Sequence, residues 1–465
     1  MKRLLFIFFV SLVTIICISS GSGCANIIPP EGGPKDTLPP VLVSATPKDS
    51  TRNFNSRHIV LQFNEYVDLN EVQNNLLFTP TFETNPVIEA KLRTITIRLK
   101  DTLEKNTTYT FDFGNAIRDV NENNILRNFV YTFSTGPHID SLTLRGHVQL
   151  AETGKVDSTL TVILHNSLDD SAVVKNRPRY VARVDSSGNF TFRNLPADTF
   201  AIYVLGEAGI TRRYTSKSQL FAFSNTRVIT PDSSRITLFA YRETPALPTG
   251  TSTPGTTAAK GEKRLLFTTN LTGEQQDLLK NLVFTFDRPL RFFDSTKVHF
   301  TTDTTFTPVT QYTTTLDTSK KVLAFQTSWQ PGQSYHLLLD KDFAEDTLGR
   351  RLLKADTLSF TARPQQEYGA INLRLRNLDT AQNPVLQFVQ NDAIVFSVPV
   401  KTGTFRQSLF LPGDYDLRIL YDRNNNGKWD PGQFFGAKKQ PEIVRAIERK
   451  ITIKGDQNND FDIPL

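Results

Sequence analysis

In 465 positions the chain has two cysteines, one methionine and two tryptophans, and each scarcity excludes something. Cys17 lies in an apolar stretch near the start and Cys24 just behind it, so no thiol remains beyond residue 24. Any domains there hold by packing, without a disulfide. The six histidines (His58, His138, His147, His165, His299, His336) are scattered, and no His-Glu-x-x-His, Gly-x-Ser-x-Gly or glycine-rich phosphate loop occurs. Hydrolase and nucleotide chemistry therefore have no motif to rest on, and the chain reads as a non-enzyme that needs no catalytic cofactor. Asp340, Asp342, Glu345 and Asp346 look like paired carboxylates, but their place at a turn reads as capping rather than glycosidase chemistry. The formal charge of +6 falls to +4 without Lys2 and Arg3. The remaining bases come in isolated pairs (Arg212-Arg213, Arg350-Arg351, Lys438-Lys439), not in the aromatic-laced patch a nucleic acid needs.

What is present begins with an address. Lys2 and Arg3 precede the apolar run Leu4–Ile18, and Ser19, Ser20, Gly21, Ser22 and Gly23 lead to Cys24. That order describes a cleavable export signal over residues 1–23, with an apolar run of about 15 residues, short of the roughly 20 that span a bilayer. Ser22-Gly23-Cys24 resembles a bacterial lipobox, with Gly21 where most carry Leu. The resemblance implies that Cys24 is acylated on sulfur and nitrogen and that a membrane is the first partner, since more than one acyl chain gives a stable anchor. Ala25 in place of Asp implies the outer membrane, with the leaflet left open. Residues 24–40, with five prolines and Gly32-Gly33, read as an extended spacer.

Beyond Pro40 the pattern is that of strands, and the expected fold class is all-β, as tandem sandwiches. His58–Phe63, Thr94–Leu99, Thr108–Phe113 and Phe129–Phe133 alternate between turn clusters, predicting an Ig-like sandwich over 41–136. A second sandwich is expected over 142–243. There Asp185-Ser186-Ser187-Gly188-Asn189-Phe190-Thr191-Phe192 and Leu195-Pro196 resemble the core of the carboxypeptidase-regulatory, transthyretin-like fold. Residues 244–262 read as a linker. A third module (263–363) repeats the first: Phe286 answers Phe63, Tyr335 answers Tyr109, and Asp346 answers Asp119. A fourth (368–465) repeats the second, Leu411-Pro412 answering Leu195-Pro196. The offsets agree closely enough to indicate duplication of a two-domain unit. Tyr109 and Tyr335 are expected to turn their hydroxyls back onto main chain at a sandwich corner.

The run Glu31–Pro40 followed by Phe63-Asn64-Glu65-Tyr66-Val67, with Thr107-Thr108-Tyr109 and Phe113–Asp119, resembles the Ig-like lipoproteins of Bacteroidota-type bacteria. The resemblance implies a first domain of the bacterial Ig-like, S-layer-protein type, and an envelope location.

The one metal-like motif is Asp422-Arg423-Asn424-Asn425-Asn426-Gly427-Lys428-Trp429-Asp430. Side chains of Asp422, Asn424, Asn426 and Asp430, with the Lys428 carbonyl, match a calcium loop with glycine at its sixth position. Gln433 stands where a bidentate glutamate belongs, and only two ligands bring charge. An Asn-Gly hairpin turn that needs no ion is the other reading, and the sequence leaves both open. The tripeptide Asp-Ser/Thr-small recurs from Asp36 to Asp379 and resembles an O-glycosylation signal of the same bacterial group.

The sum is a lipoprotein that binds or scaffolds at the cell envelope, its protein or glycan partner unidentified. A carbohydrate-binding lipoprotein of glycan uptake, with Trp329, Trp429 and Tyr421 as its platform, is the first alternative. A sandwich-based hydrolase is the second.

Overall fold

The computed structural model describes residues 7–11, 35–207, 209, 211–231, 235–244, 264–302 and 307–465. Cys24, most of the signal and spacer, and nearly all of the 244–262 linker lie outside the described residues. The described chain is all-β, and it divides into two compact units, Met1–Ile139 and Asp140–Leu465. No described helix is long and apolar enough to cross a membrane.

Strict alternation builds the first unit. In His58–Phe63 every second side chain (Ile59, Leu61, Phe63) is buried, so one face of the strand meets the core and the other meets water. The strand lies in a four-stranded antiparallel sheet with the order Leu42–Thr46, His58–Phe63, Thr94–Arg98, Val87–Lys91. Facing it is a sheet with Thr108–Gly114 between Phe129–Ser134 and Leu77–Thr79. Phe63, Phe111, Phe113, Tyr131 and Phe133 fill the space between them, each at most 1% exposed.

The second unit holds three sandwiches, and two of them repeat a pattern. Over 264–362, Leu282–Phe286 sits between Phe267–Thr269 and Val322–Gln326, with Thr313–Leu316 at the edge, the same order as in the first unit. Ser334–Leu339 lies between Asp356–Ala362 and Val298–Thr302, as Thr108–Gly114 lies between its partners. Phe286 and Tyr335 thus take the places of Phe63 and Tyr109. The expected corner is made in both: the Tyr109 hydroxyl accepts the Glu104 N–H at 2.9 Å, and the Tyr335 hydroxyl accepts the Gln330 N–H at 3.0 Å. Asp119 and Asp346 also match. Burial would raise both carboxyls, but backbone N–H groups of the turn that follows, joined for Asp346 by the Arg350 guanidinium, hold both below the usual carboxylate range.

The other two sandwiches share a topology of their own. Leu142–Leu150 runs antiparallel to Asn189–Leu195 and parallel to Ile236–Ala240. Gly369–Arg376 does the same with Thr404–Phe410 and Asn458–Pro464. Their second sheets correspond strand for strand: Tyr180–Arg183, Thr161–His165, Thr199–Leu205, Phe221–Phe223 against Ala393–Pro399, Pro384–Gln390, Gly413–Tyr421, Ile443–Ile453. Asp185 makes the expected turn, its carboxylate accepting the Ser187 and Asn189 N–H groups while Gly188 takes a φ of +79°.

Candidate functional site

Two strands, Gly413–Tyr421 and Ile443–Ile453, pair along their length, and the chain between them is a long excursion carrying the 422–430 loop. Asp422, 1% exposed, starts it. Its carboxylate accepts the Gly427 N–H at 2.6 Å and the Asn426 N–H at 3.3 Å. Asn424 and Asn426 both donate side-chain amides to one oxygen of Asp430. The Asn426 side-chain oxygen accepts the Lys428 N–H at 2.7 Å. All five residues named for calcium therefore meet in one loop.

The structure adds a residue that the spacing missed. Glu442, 1% exposed, returns from the far end of the excursion and accepts the Arg423 N–H at 2.8 Å and the Asp430 N–H at 3.0 Å. Gln433 does not complete the loop; it pairs with Lys439 in a separate turn. A partner that arrives twelve residues after Asp430, across a pair of strands, has no sequence signal beyond its burial. The loop offers the Asp422 and Asp430 carboxylates and the Asn424 and Asn426 amide oxygens, donors of the kind a hard cation takes, while both Glu442 oxygens are engaged by backbone N–H groups behind them. The same groups also close the turn through their own hydrogen bonds. Among the described residues no three of His, Cys, Asp and Glu gather at metal-binding distance when amides are left out.

The rest of the excursion is a plug. Phe434, 2% exposed, enters a recess of the 142–243 sandwich, with ring centroids 5.1 Å from Phe221, 5.0 Å from Phe223 and 5.6 Å from Tyr203. The Phe434 N–H donates to Glu243 at 3.0 Å, and the Gln440 amide donates to the Phe223 carbonyl at 3.0 Å. Gly432 lies so close to Tyr241 that a Cβ would stand 2.6 Å from its ring. The Val444 N–H donates to Ala151 at 2.8 Å, and Lys155–Asp392 and Lys438–Asp170 pair across the same seam. The 142–243 and 368–465 sandwiches are thus fused side by side, although the third module separates them in sequence.

Under the plug lies His165, 2% exposed, edge-on to Tyr203 at 5.9 Å. Burial pushes its pKa down to about 4, because a charged imidazole there would lose its hydration. Its Nε2 makes no hydrogen bond within the described residues.

The structure does not bring Trp329, Trp429 and Tyr421 together as a platform, since Trp329 lies in the third module and the other two in the fourth. Trp329 is 7% exposed, and its indole N–H donates to the Lys280 carbonyl at 2.9 Å. The Trp429 indole N–H donates to the Glu442 carbonyl at 2.8 Å, with its ring against Val385, Leu420 and Val444. Trp329 is thus interior, while Trp429 and Tyr421 are half-buried in a different module, so the three form no common shelf. The acidic run at 340–346 is dispersed: Asp340 faces His299, Asp342 pairs with Lys297, Glu345 with Arg351 and Asp346 with Arg350.

Residues 36–135 match the family model of the bacterial Ig-like domain, the span of the first sandwich. With the fold above, this defines an all-β chain of tandem sandwiches, the first of them a bacterial Ig-like domain. No curated protein matches the chain. Among solved structures it is similar to BcpA, the major pilin subunit of Bacillus cereus, at 10% identity over 70% of this chain and 99% of that one, with a TM-score of 0.17. It is also similar to the Bacillus anthracis TIE protein, at 12% identity over 94% and 76% with a TM-score of 0.17. The N-terminal part of the bacterial S-layer protein SbsC matches at 17% identity over 44% of each chain, with a TM-score of 0.15.

Proposed function

We propose that this chain is a non-catalytic binding or scaffolding protein of the cell envelope, held at the outer membrane by acyl chains on Cys24. The observation that carries the reading is the order Lys2-Arg3, Leu4–Ile18, Ser22-Gly23-Cys24. The bacterial Ig-like match over 36–135 supports it, as does an architecture of sandwiches, whose end loops and edges present binding surfaces on a firm base. The partner is an envelope protein or a glycan. The same reading gives the 422–430 loop a structural calcium ion held by Asp422, Asn424, Asn426, the Lys428 carbonyl and Asp430, with Glu442 behind them. It also gives several Asp-Ser/Thr hydroxyls O-linked glycan.

The test is the intact mass of protein purified from native membranes. A chain that begins at Cys24 and carries acyl chains, with added hexose mass, is the expected result. A soluble chain with residues 1–23 still attached overturns the anchor, and a mass equal to the lipidated chain alone rejects the glycan.

A further inference from the structure

In the third module the segment Val309–Tyr312 crosses from one sheet to the other, and a cavity of about 740 Å³ opens where it does so. The side chains around it are Thr, Ser, Gln, Tyr and one Val, on a protein of which 22% of residues are charged. Among the described lining residues there is no carboxylate, ammonium, guanidinium or imidazole. That composition sorts ligands by chemistry. An anion needs cationic groups or a nest of N–H groups, a metal needs carboxylates, and a lipid needs an apolar wall. A neutral polyhydroxylated molecule needs what is here, amides and hydroxyls that both donate and accept.

The walls are fixed while the polar tips are free. The Thr327 hydroxyl donates to the Gln311 carbonyl at 2.8 Å, tying the crossing segment to the end of strand Val322–Gln326. The Gln330 N–H is held by the Tyr335 hydroxyl at the sandwich corner. The Tyr312 ring forms the floor, edge-on to Phe300 at 5.4 Å and packed on the module's core. Against this frame the side-chain amides of Gln311, Gln326 and Gln330 make no hydrogen bond to any described residue, and Gln326 sits directly across from Thr313 on the neighbouring strand. Three unengaged amides around a half-buried aromatic floor can pair with vicinal hydroxyls while the ring takes the C–H face of a sugar.

We infer that this groove in the third module is a binding site for a neutral glycan, read by the Gln311, Gln326 and Gln330 amides over the Tyr312 ring. The inference rests on the binding role proposed above and moves the glycan contact from Trp329, Trp429 and Tyr421 to this groove. Its test uses the full mature chain in detergent, titrated calorimetrically with neutral hexasaccharides of glucose, mannose and xylose and with oligogalacturonate as the charged comparison. At least one neutral hexasaccharide should bind, and oligogalacturonate should bind more weakly or not at all. The double variant Gln311→Ala/Gln326→Ala, with an unchanged melting temperature, should bind about tenfold more weakly, as the loss of two hydrogen bonds requires. Absence of binding by every neutral hexasaccharide, tighter binding of oligogalacturonate, or affinity unchanged in the glutamine variant overturns the groove. Any of these results found with acyl chains on Cys24 removes the groove and leaves the anchored scaffold standing. Glycan binding by a chain without acyl chains does the reverse.

Discussion

His165 makes the second unit acid-labile by an amount that its burial sets. The folded pKa is about 4, against an ordinary 6.5. Between those values the unfolded chain takes up a proton that the folded chain refuses, so stability falls as pH falls through that window. Below the folded value both states are protonated and the loss levels off. At 1.36 kcal/mol per pH unit the full loss is about 3.4 kcal/mol, of which about 2 kcal/mol has accrued by pH 5. The perturbation is His165→Leu, a side chain of similar bulk that takes no proton. Urea unfolding followed by near-ultraviolet circular dichroism at pH 7 and pH 5 gives both stabilities, and other titrating groups cancel in the comparison. The wild-type chain should lose about 2 kcal/mol more than the variant over that interval. Equal losses would refute the argument, because they would mean that His165 is hydrated in the folded state.

Phe434→Ala empties the recess between Phe221 and Phe223 and should cost about 3 to 5 kcal/mol in thermal unfolding of the second unit; a cost under about 1 kcal/mol would mean that the seam is not formed. Tyr335→Phe removes only the hydroxyl that holds the Gln330 N–H, so a loss of about 1 kcal/mol is expected in chemical denaturation, and Tyr109→Phe should match it at Glu104. Millimolar calcium should raise the melting temperature of the wild-type chain and leave Asp422→Ala unmoved. No calcium-dependent shift in the wild type would assign the 422–430 loop to a turn closed by its own hydrogen bonds.

Much of the fold was legible because strands with one buried face write their period into the sequence. His58–Phe63 and Thr94–Arg98 fall where alternation puts them, and the duplicated Phe63/Phe286 and Tyr109/Tyr335 positions take equivalent places in their sheets. Short pairings such as Val67–Leu69 with Ile117–Asp119 escaped notice, since three residues carry no period. The seam was invisible for a different reason. Phe434 and Phe435 look like any apolar pair in a loop, and only tertiary structure shows that one fills a recess made by Tyr203, Phe221 and Phe223. Glu442 was hidden because its contacts to Arg423 and Asp430 span 19 and 12 residues. The tryptophans misled, because the indole that stacks on a sugar and the indole that fills an interior are the same residue in a sequence.

The hydrogen bond from Phe434 to Glu243 joins residues 191 apart. A ribosome therefore finishes the greasy hollow of the second sandwich long before it makes the ring that stoppers it. During synthesis that hollow faces whatever solvent or chaperone the emerging polypeptide meets, and the entire third module must be made before closure. A nascent chain stalled in that interval would be sticky at a spot that the finished protein conceals.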